Sequence, residues 1–199
     1  MLLAIDTSAG TSVALVDLEG GILAEAASDD TRGHAELVGE LIAVCIEGID
    51  VTTLSGVVAG MGPGPFTGLR VGIAAARAFA LGIGRPVVPV VSHDALAWGV
   101  EDPIVVTTDA RRREVFWSAY SGLDAAGIPI RTHEPALAPA DWPGLDGHRL
   151  VAARTVSAAR LGLLAETMYA NGRRFAADRP LYLRSPDVTL SAGPKRVTG

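Results

Sequence analysis

Cysteine and lysine are almost missing from this chain of 199 residues. Cys45 is the only cysteine, which excludes an intramolecular disulfide and any zinc site built on thiolates. It sits among Ile42, Val44 and Ile46 and reads as a small buried hydrophobe. Lysine and arginine together number 17, and Lys195 in the C-terminal tail is the one lysine, leaving sixteen arginines. The body of the chain therefore has no P-loop lysine and no Schiff-base lysine. The four histidines are His34, His93, His133 and His148, and none lies three or four residues from another. A pair of metal ligands on one helix face is absent, and His34 reads as a partly exposed residue at a helix start.

Excess positive charge is missing too. The formal net charge is −5, with a pI near 5.3. A large autonomous nucleic-acid grip is disfavoured, although a local basic patch stays open. No apolar run is long enough to span a bilayer; Val71 to Ile83 is short and carries Arg77. "MLLAIDTS" has no basic leader and reads as a strand. The expectation is a cytoplasmic protein with no membrane contact. Neither G-x-S-x-G nor G-x-x-x-x-G-K-[ST] occurs. "SHD" at Ser92–Asp94 has the letters of a catalytic triad, but three adjacent residues cannot converge as a triad must. Ser92 as a helix N-cap accounts for it.

What is present is an alternation of strands and helices. Leu2–Asp6 and Ser12–Asp17 read as a hairpin around "TSAGT", and the stretch from Gly20 as a third strand. Between His34 and Gly48, Leu37, Leu41 and Val44 recur at i, i+4, i+7, the pattern of an amphipathic helix. Leu54–Met61 reads as a buried strand, followed by a glycine-proline loop, a long helix, the strand Pro86–Val90 and a helix from Ser92. After Glu101-Asp102-Pro103 a similar order begins: strands at Ile104–Thr108, Glu114–Ser121 and Ile128–Thr132, an irregular proline-rich stretch, Arg149–Ala152, then a helix over Ser157–Asn171. A short strand and a loose polar tail follow. The fold class is α/β in two lobes, 1–101 and 102–199, the tail free to pack back on the first.

Three places invite chemistry. The turn after the first strand offers Asp6, Thr7, Ser8 and Thr11, groups that suit a phosphate with Mg²⁺ held through water, or an ordinary turn that satisfies itself. The loop "GMGPGPFTG" looks like a phosphate cradle, but Pro63 and Pro65 have no N–H to donate. Thr67 is its candidate cap. Behind it, Gly68, Gly72, Ala76 and Ala80 form a stripe without bulk, and Arg70, Ala74, Arg77 and Leu81 a second face. That second face suits a protein contact or the solvated edge of a core helix. Finally, "DARRREVFW" sets Arg111–Arg113 beside Phe116 and Trp117. It reads as a solvated turn, with a tRNA-facing role open.

Four motifs carry a family resemblance across nearly the whole chain: "LLAIDTSAGTSVALVD", "GMGPGPFTGLRVGIAAARAFALG", "DARRREVFWSAY" and "PLYLRSPDV". The sequence resembles the TsaB (YeaZ) family, in which serine is usual where Pro65 stands. The resemblance implies a two-lobed actin/Hsp70/sugar-kinase-like (ASKHA) fold. It implies work in bacterial tRNA threonylcarbamoyladenosine synthesis, where threonylcarbamoyl passes from threonylcarbamoyl-AMP to N6 of the adenosine next to the anticodon. In that family a paralogous TsaD subunit holds the metal and does the chemistry, and the ATPase TsaE completes the assembly. TsaB-like chains are implied scaffolds that bind TsaD or self-associate through the first-lobe helices. Carried onto this sequence, those helices are His34–Gly48 and Phe66–Gly84. Their candidate contact residues are His34, Leu37, Leu41, Phe66, Gly68, Arg70, Gly72, Ala76, Arg77 and Ala80. No intrinsic cofactor or metal is expected, ATP or ADP binds only at the complex interface, and tRNA is met only through the complex. The rivals are a nucleotide-dependent enzyme using Asp6, Thr7 and Ser8, and a glycoprotease, for which no metal site or nucleophile is found.

Overall fold

The computed structural model describes residues 1–30 and 33–184. Lys195 and the end of the "PLYLRSPDV" motif lie outside the described residues. Strands β1 (Leu2–Asp6), β2 (Thr11–Asp17) and β3 (Gly21–Ser28) form an antiparallel meander. Helix α1 (His34–Cys45) leads to β4 (Gly56–Gly60), α2 (Phe66–Gly82), β5 (Val87–Val90) and α3 (Ser92–Ala97). Because β4 runs parallel to β1 and β5 parallel to β4, the first sheet has the order β3-β2-β1-β4-β5.

Every residue of β1 is buried because each face of the sheet has its own cover. Leu3 and Ile5 point into one cluster with Val57, Leu69, Ile73 and Ala76, under α1 and α2. Leu2 and Ala4 point into the other with Val58, Leu161 and Leu164. That second cover is α4 (Ala158–Ala170), which comes from the far end of the chain. It lies close on the sheet because Gly162 has no side chain; a Cβ there would stand 2.7 Å from Val16 Cγ2. A cut after Glu101 therefore separates the two sheets but not the packing of the first.

The second sheet repeats the opening plan with β6 (Ile104–Arg111), β7 (Glu114–Leu123) and β8 (Pro129–Pro139) as a meander and β9 (Arg149–Ala153) parallel to β6. Helix α3 ties the sheets together. His93, fully buried, bonds Ser118 Oγ at 2.8 Å and Thr108 Oγ1 at 3.0 Å. Asp94 accepts from Tyr120 at 2.7 Å and from Arg131 Nε at 3.1 Å and NH2 at 2.5 Å.

Several local expectations are corrected. Strand β8 runs on through "EPALAP", expected to be irregular. It is an edge strand, so the missing N–H groups of Pro135 and Pro139 can be spared. Helix α1 stops at Cys45 rather than Gly48, and α2 at Gly82 rather than Gly84. Ser92 is the first residue of α3, not its cap, and Thr67 makes no cap bond. His34 is buried at 8% exposure rather than partly open.

Candidate functional site

The turn after β1 and the loop after β4 meet at the carboxyl ends of two adjacent parallel strands. Asp6 Oδ1 accepts from the Ser8 N–H at 2.8 Å and the Ser8 hydroxyl at 2.6 Å. Its Oδ2 accepts from the Ser92 hydroxyl at 2.5 Å. Ser92 Oγ in turn accepts from the Gly62 N–H at 2.9 Å, which fixes the glycine-proline loop. Gly60 passes so close that a Cβ on it would overlap Asp6 Oδ2. A Cβ on Gly64 would lie 2.7 Å from Ser8 O, so the loop rests directly on the turn.

Thr7 makes the most unusual contact. Its Oγ1 donates to Gly68 O at 2.7 Å and accepts from Gly72 N at 3.0 Å. Those two groups are the ends of one i, i+4 rung of α2, so a hydroxyl from the turn after β1 is inserted into the helix ladder. Thr11 Oγ1 and His34 Nδ1 are hydrogen-bonded at 2.7 Å. Burial pushes the Asp6 carboxyl above its usual range, although the Ser8 and Ser92 bonds pull the other way. Burial also lowers His34, and the nearby Arg111 cation adds to that.

This arrangement bears on the phosphate reading. Asp6, Thr7, Ser8 and Thr11 are exposed by 2% or less, and each polar side-chain atom among them has a partner inside the chain. An Asp–Ser contact of 2.6 Å is what a base and its nucleophile would need. Here it is sealed under the loop. Among the described residues no group of three His, Cys, Asp or Glu side chains could hold a metal.

The helix residues divide in two. Gly68, Gly72, Ala76 and Ala80 all face inward and are buried, so the stripe without bulk serves the chain itself. It brings the α2 backbone against Thr7, and those four residues offer no surface to a partner. His34 is likewise spent inside. Leu37, Leu41 and Phe66 are half-buried, while Arg70 and Arg77 are exposed.

Both arginines already hold the segment after α4. Arg77 pairs with Asp178 at 2.7 Å, and Arg70 Nε donates to the Tyr182 hydroxyl at 3.3 Å. The Arg70 guanidinium also stands 3.9 Å above the Phe66 ring, which meets the Tyr182 ring at 4.7 Å. The segment is pinned by its backbone as well, Ala176 N to Pro89 O and Leu181 N to Met61 O. Beyond this strap two apolar side chains stand open: Val44 on α1 at 60% and Leu81 on α2 at 83%. The two helices begin side by side, where His34 reaches Gly68. Both follow strands that run parallel to β1 and both pack back on one core cluster, so they run in the same sense across the sheet. The i, i+4 spacing places Leu81 on the arginine face, and Leu81 is not among the contact residues carried over from the family.

The family model described as TsaD, tRNA N6-adenosine threonylcarbamoyltransferase, matches residues 6–139. YeaZ from Pseudomonas aeruginosa superposes with a TM-score of 0.74 at 27% identity, covering 92% of this chain and 99% of that one. The chain belongs to the TsaB (YeaZ) family. Its two sheets and their covering helices are the ASKHA-like fold of that family. An uncharacterized protein of Mycobacterium tuberculosis is 38% identical over 84% of this chain and 82% of its own length. The Haemophilus influenzae protein named tRNA threonylcarbamoyladenosine biosynthesis protein TsaB is 33% identical, over 59% of this chain and 52% of its own. TsaB homology supports a role in tRNA threonylcarbamoyladenosine biosynthesis. No helix among the described residues is long and apolar enough to cross a membrane.

Proposed function

We propose that this chain is a noncatalytic, activating subunit of the bacterial tRNA threonylcarbamoyl transferase complex. It binds a TsaD-like catalytic subunit, which transfers threonylcarbamoyl from threonylcarbamoyl-AMP to N6 of the adenosine beside the anticodon. A TsaE-like ATPase joins the assembly, and tRNA is met there rather than by the free chain. A second copy of this chain competes for the same face as a homodimer. The chain works in the cytoplasm and holds no cofactor of its own; ATP or ADP sits at the complex interface.

One observation carries this reading. The polar turn that would have to do chemistry is closed on itself, while the α1–α2 pair leaves Val44 and Leu81 in water. We take these two exposed apolar side chains, one on each of the paired helices, as the mark of the partner face. The face is centred on the outer side of α1 and the last turns of both helices, because the strap engages the arginine edge of α2. The test is ATP turnover and tRNA modification by the isolated chain. Neither is expected above background. Turnover by the chain alone, lost on Asp6→Asn, would instead support the nucleotide-dependent enzyme.

A further inference from the structure

The hairpin between β6 and β7 turns on Arg111, Arg112 and Arg113, whose φ angles are 61°, 55° and 61°. A two-residue hairpin loop matches the twist of its strands when both residues have positive φ, and Asn-Gly or Gly-Gly supplies that at little cost. Here the backbone at three arginines is held in the same left-handed region. The surroundings enforce it. Arg111 N donates to Asp109 Oδ1 at 2.8 Å, and Ala140 N donates to Arg113 O at 2.9 Å. Arg184 NH1 donates to Ala110 O at 3.2 Å, and its guanidinium pairs with Glu114. Backbone strain fixed this firmly is a reason to ask what the side chains do.

All three arginines are exposed. The Arg113 guanidinium has no partner among the described residues. Arg111 acts electrostatically on His34, so the tip stands near the start of α1, at the other end of that helix from Val44. In a chain of net charge −5 this concentration of cations is local. A guanidinium matches phosphate with two parallel N–H donors.

We propose that Arg111–Arg113 form a phosphate-contacting finger that this chain lends to the tRNA held by the assembled transferase. The inference rests on the proposed role above and names the part of the chain that touches RNA. Glycine is the discriminating substitution, because it relieves the backbone and removes the charge together. The double variant Arg112→Gly with Arg113→Gly is expected to melt no lower than the parent and to bind the catalytic subunit equally well. The reconstituted assembly carrying it should bind unmodified tRNA about fivefold more weakly at low salt, with a log–log salt slope shallower by about 1 to 2. The Arg→Lys pair should keep most of that slope.

Unchanged affinity and slope in an intact assembly overturn the finger alone. Loss of catalytic-subunit binding by a folded glycine variant also overturns it, placing the tip against protein. A wild-type chain that neither binds the catalytic subunit nor alters its tRNA binding overturns the proposed role, and the finger with it.

Discussion

Replacing Gly72 by alanine tests the insertion of Thr7 into α2. The new Cβ would overlap Thr7 Oγ1 and stand 3.0 Å from Thr7 Cγ2. Overpacking of this kind costs about 1–3 kcal/mol. The two Thr7 hydrogen bonds, worth about 0.5–1.5 kcal/mol each, are lost if the hydroxyl is driven out. Against this, alanine gains about 1 kcal/mol of helix propensity over glycine. The net expectation is a loss of about 2–3 kcal/mol, or roughly 5–10 °C in Tm for a chain of this size. Thr7→Ala removes Oγ1 and Cγ2 and leaves only Cβ, at 3.1 Å from the new methyl. The double variant should then be more stable than the sum of the singles by at least about 1 kcal/mol. Urea unfolding of the four proteins closes the cycle. Additivity within about 0.5 kcal/mol refutes the insertion.

Other outcomes follow from the same contacts. Gly39→Ala, on the open side of α1 with nothing within 4 Å of its Cβ, should stabilise the chain by about 0.5–1 kcal/mol in the same assay. Burial, with Arg131 adding, pushes His93 down to about 3, against about 6.5 when unfolded. The unfolded chain therefore binds the extra proton as pH falls below about 6.5, and His93 removes about 1.4 kcal/mol of stability per pH unit down to about pH 3. The raised Asp6 works with the opposite sign, so the measurement is the difference in pH slope between the parent and His93→Gln from pH 7 to 5. Equal slopes would contradict the neutral buried imidazole. Arg77→Glu breaks an exposed ion pair with Asp178 and should change stability by less than about 1 kcal/mol, while limited proteolysis near Ala177 speeds up. An unchanged cleavage rate would show that Arg77 does not hold the strap.

Much of the architecture is written locally. Short continuous apolar runs place β1 and β2, the period of Leu37, Leu41 and Val44 places α1, and the repeated opening order marks two related halves. The corrections come from contacts that sequence spacing does not carry. Thr7 reaches α2 across 61 residues and Ser92 reaches Asp6 across 86, and their sequence neighbours alone suggest only a turn and a cap. The small-residue stripe did signal close approach, but periodicity cannot say whether the approaching backbone is the chain's own. Helix periodicity leaves Arg70 and Arg77 on an open face, whereas Tyr182 and Asp178 reach them from 112 and 101 residues away. Positive φ at three arginines has no local signal, because glycine and asparagine are the residues that announce it.

On the proposed reading the chain contributes binding rather than chemistry. Leu81→Glu puts a charge on a side chain that is 83% exposed, so the fold should survive while the partner face is spoiled. The deciding measurement is the rate of tRNA modification by the catalytic subunit and ATPase, titrated with parent and Leu81→Glu chains. Both should reach one plateau, with the midpoint for Leu81→Glu shifted about tenfold or more higher, as expected for a residue central to an interface. A lower plateau at saturation, or modification by the chain without its partner, contradicts that reading.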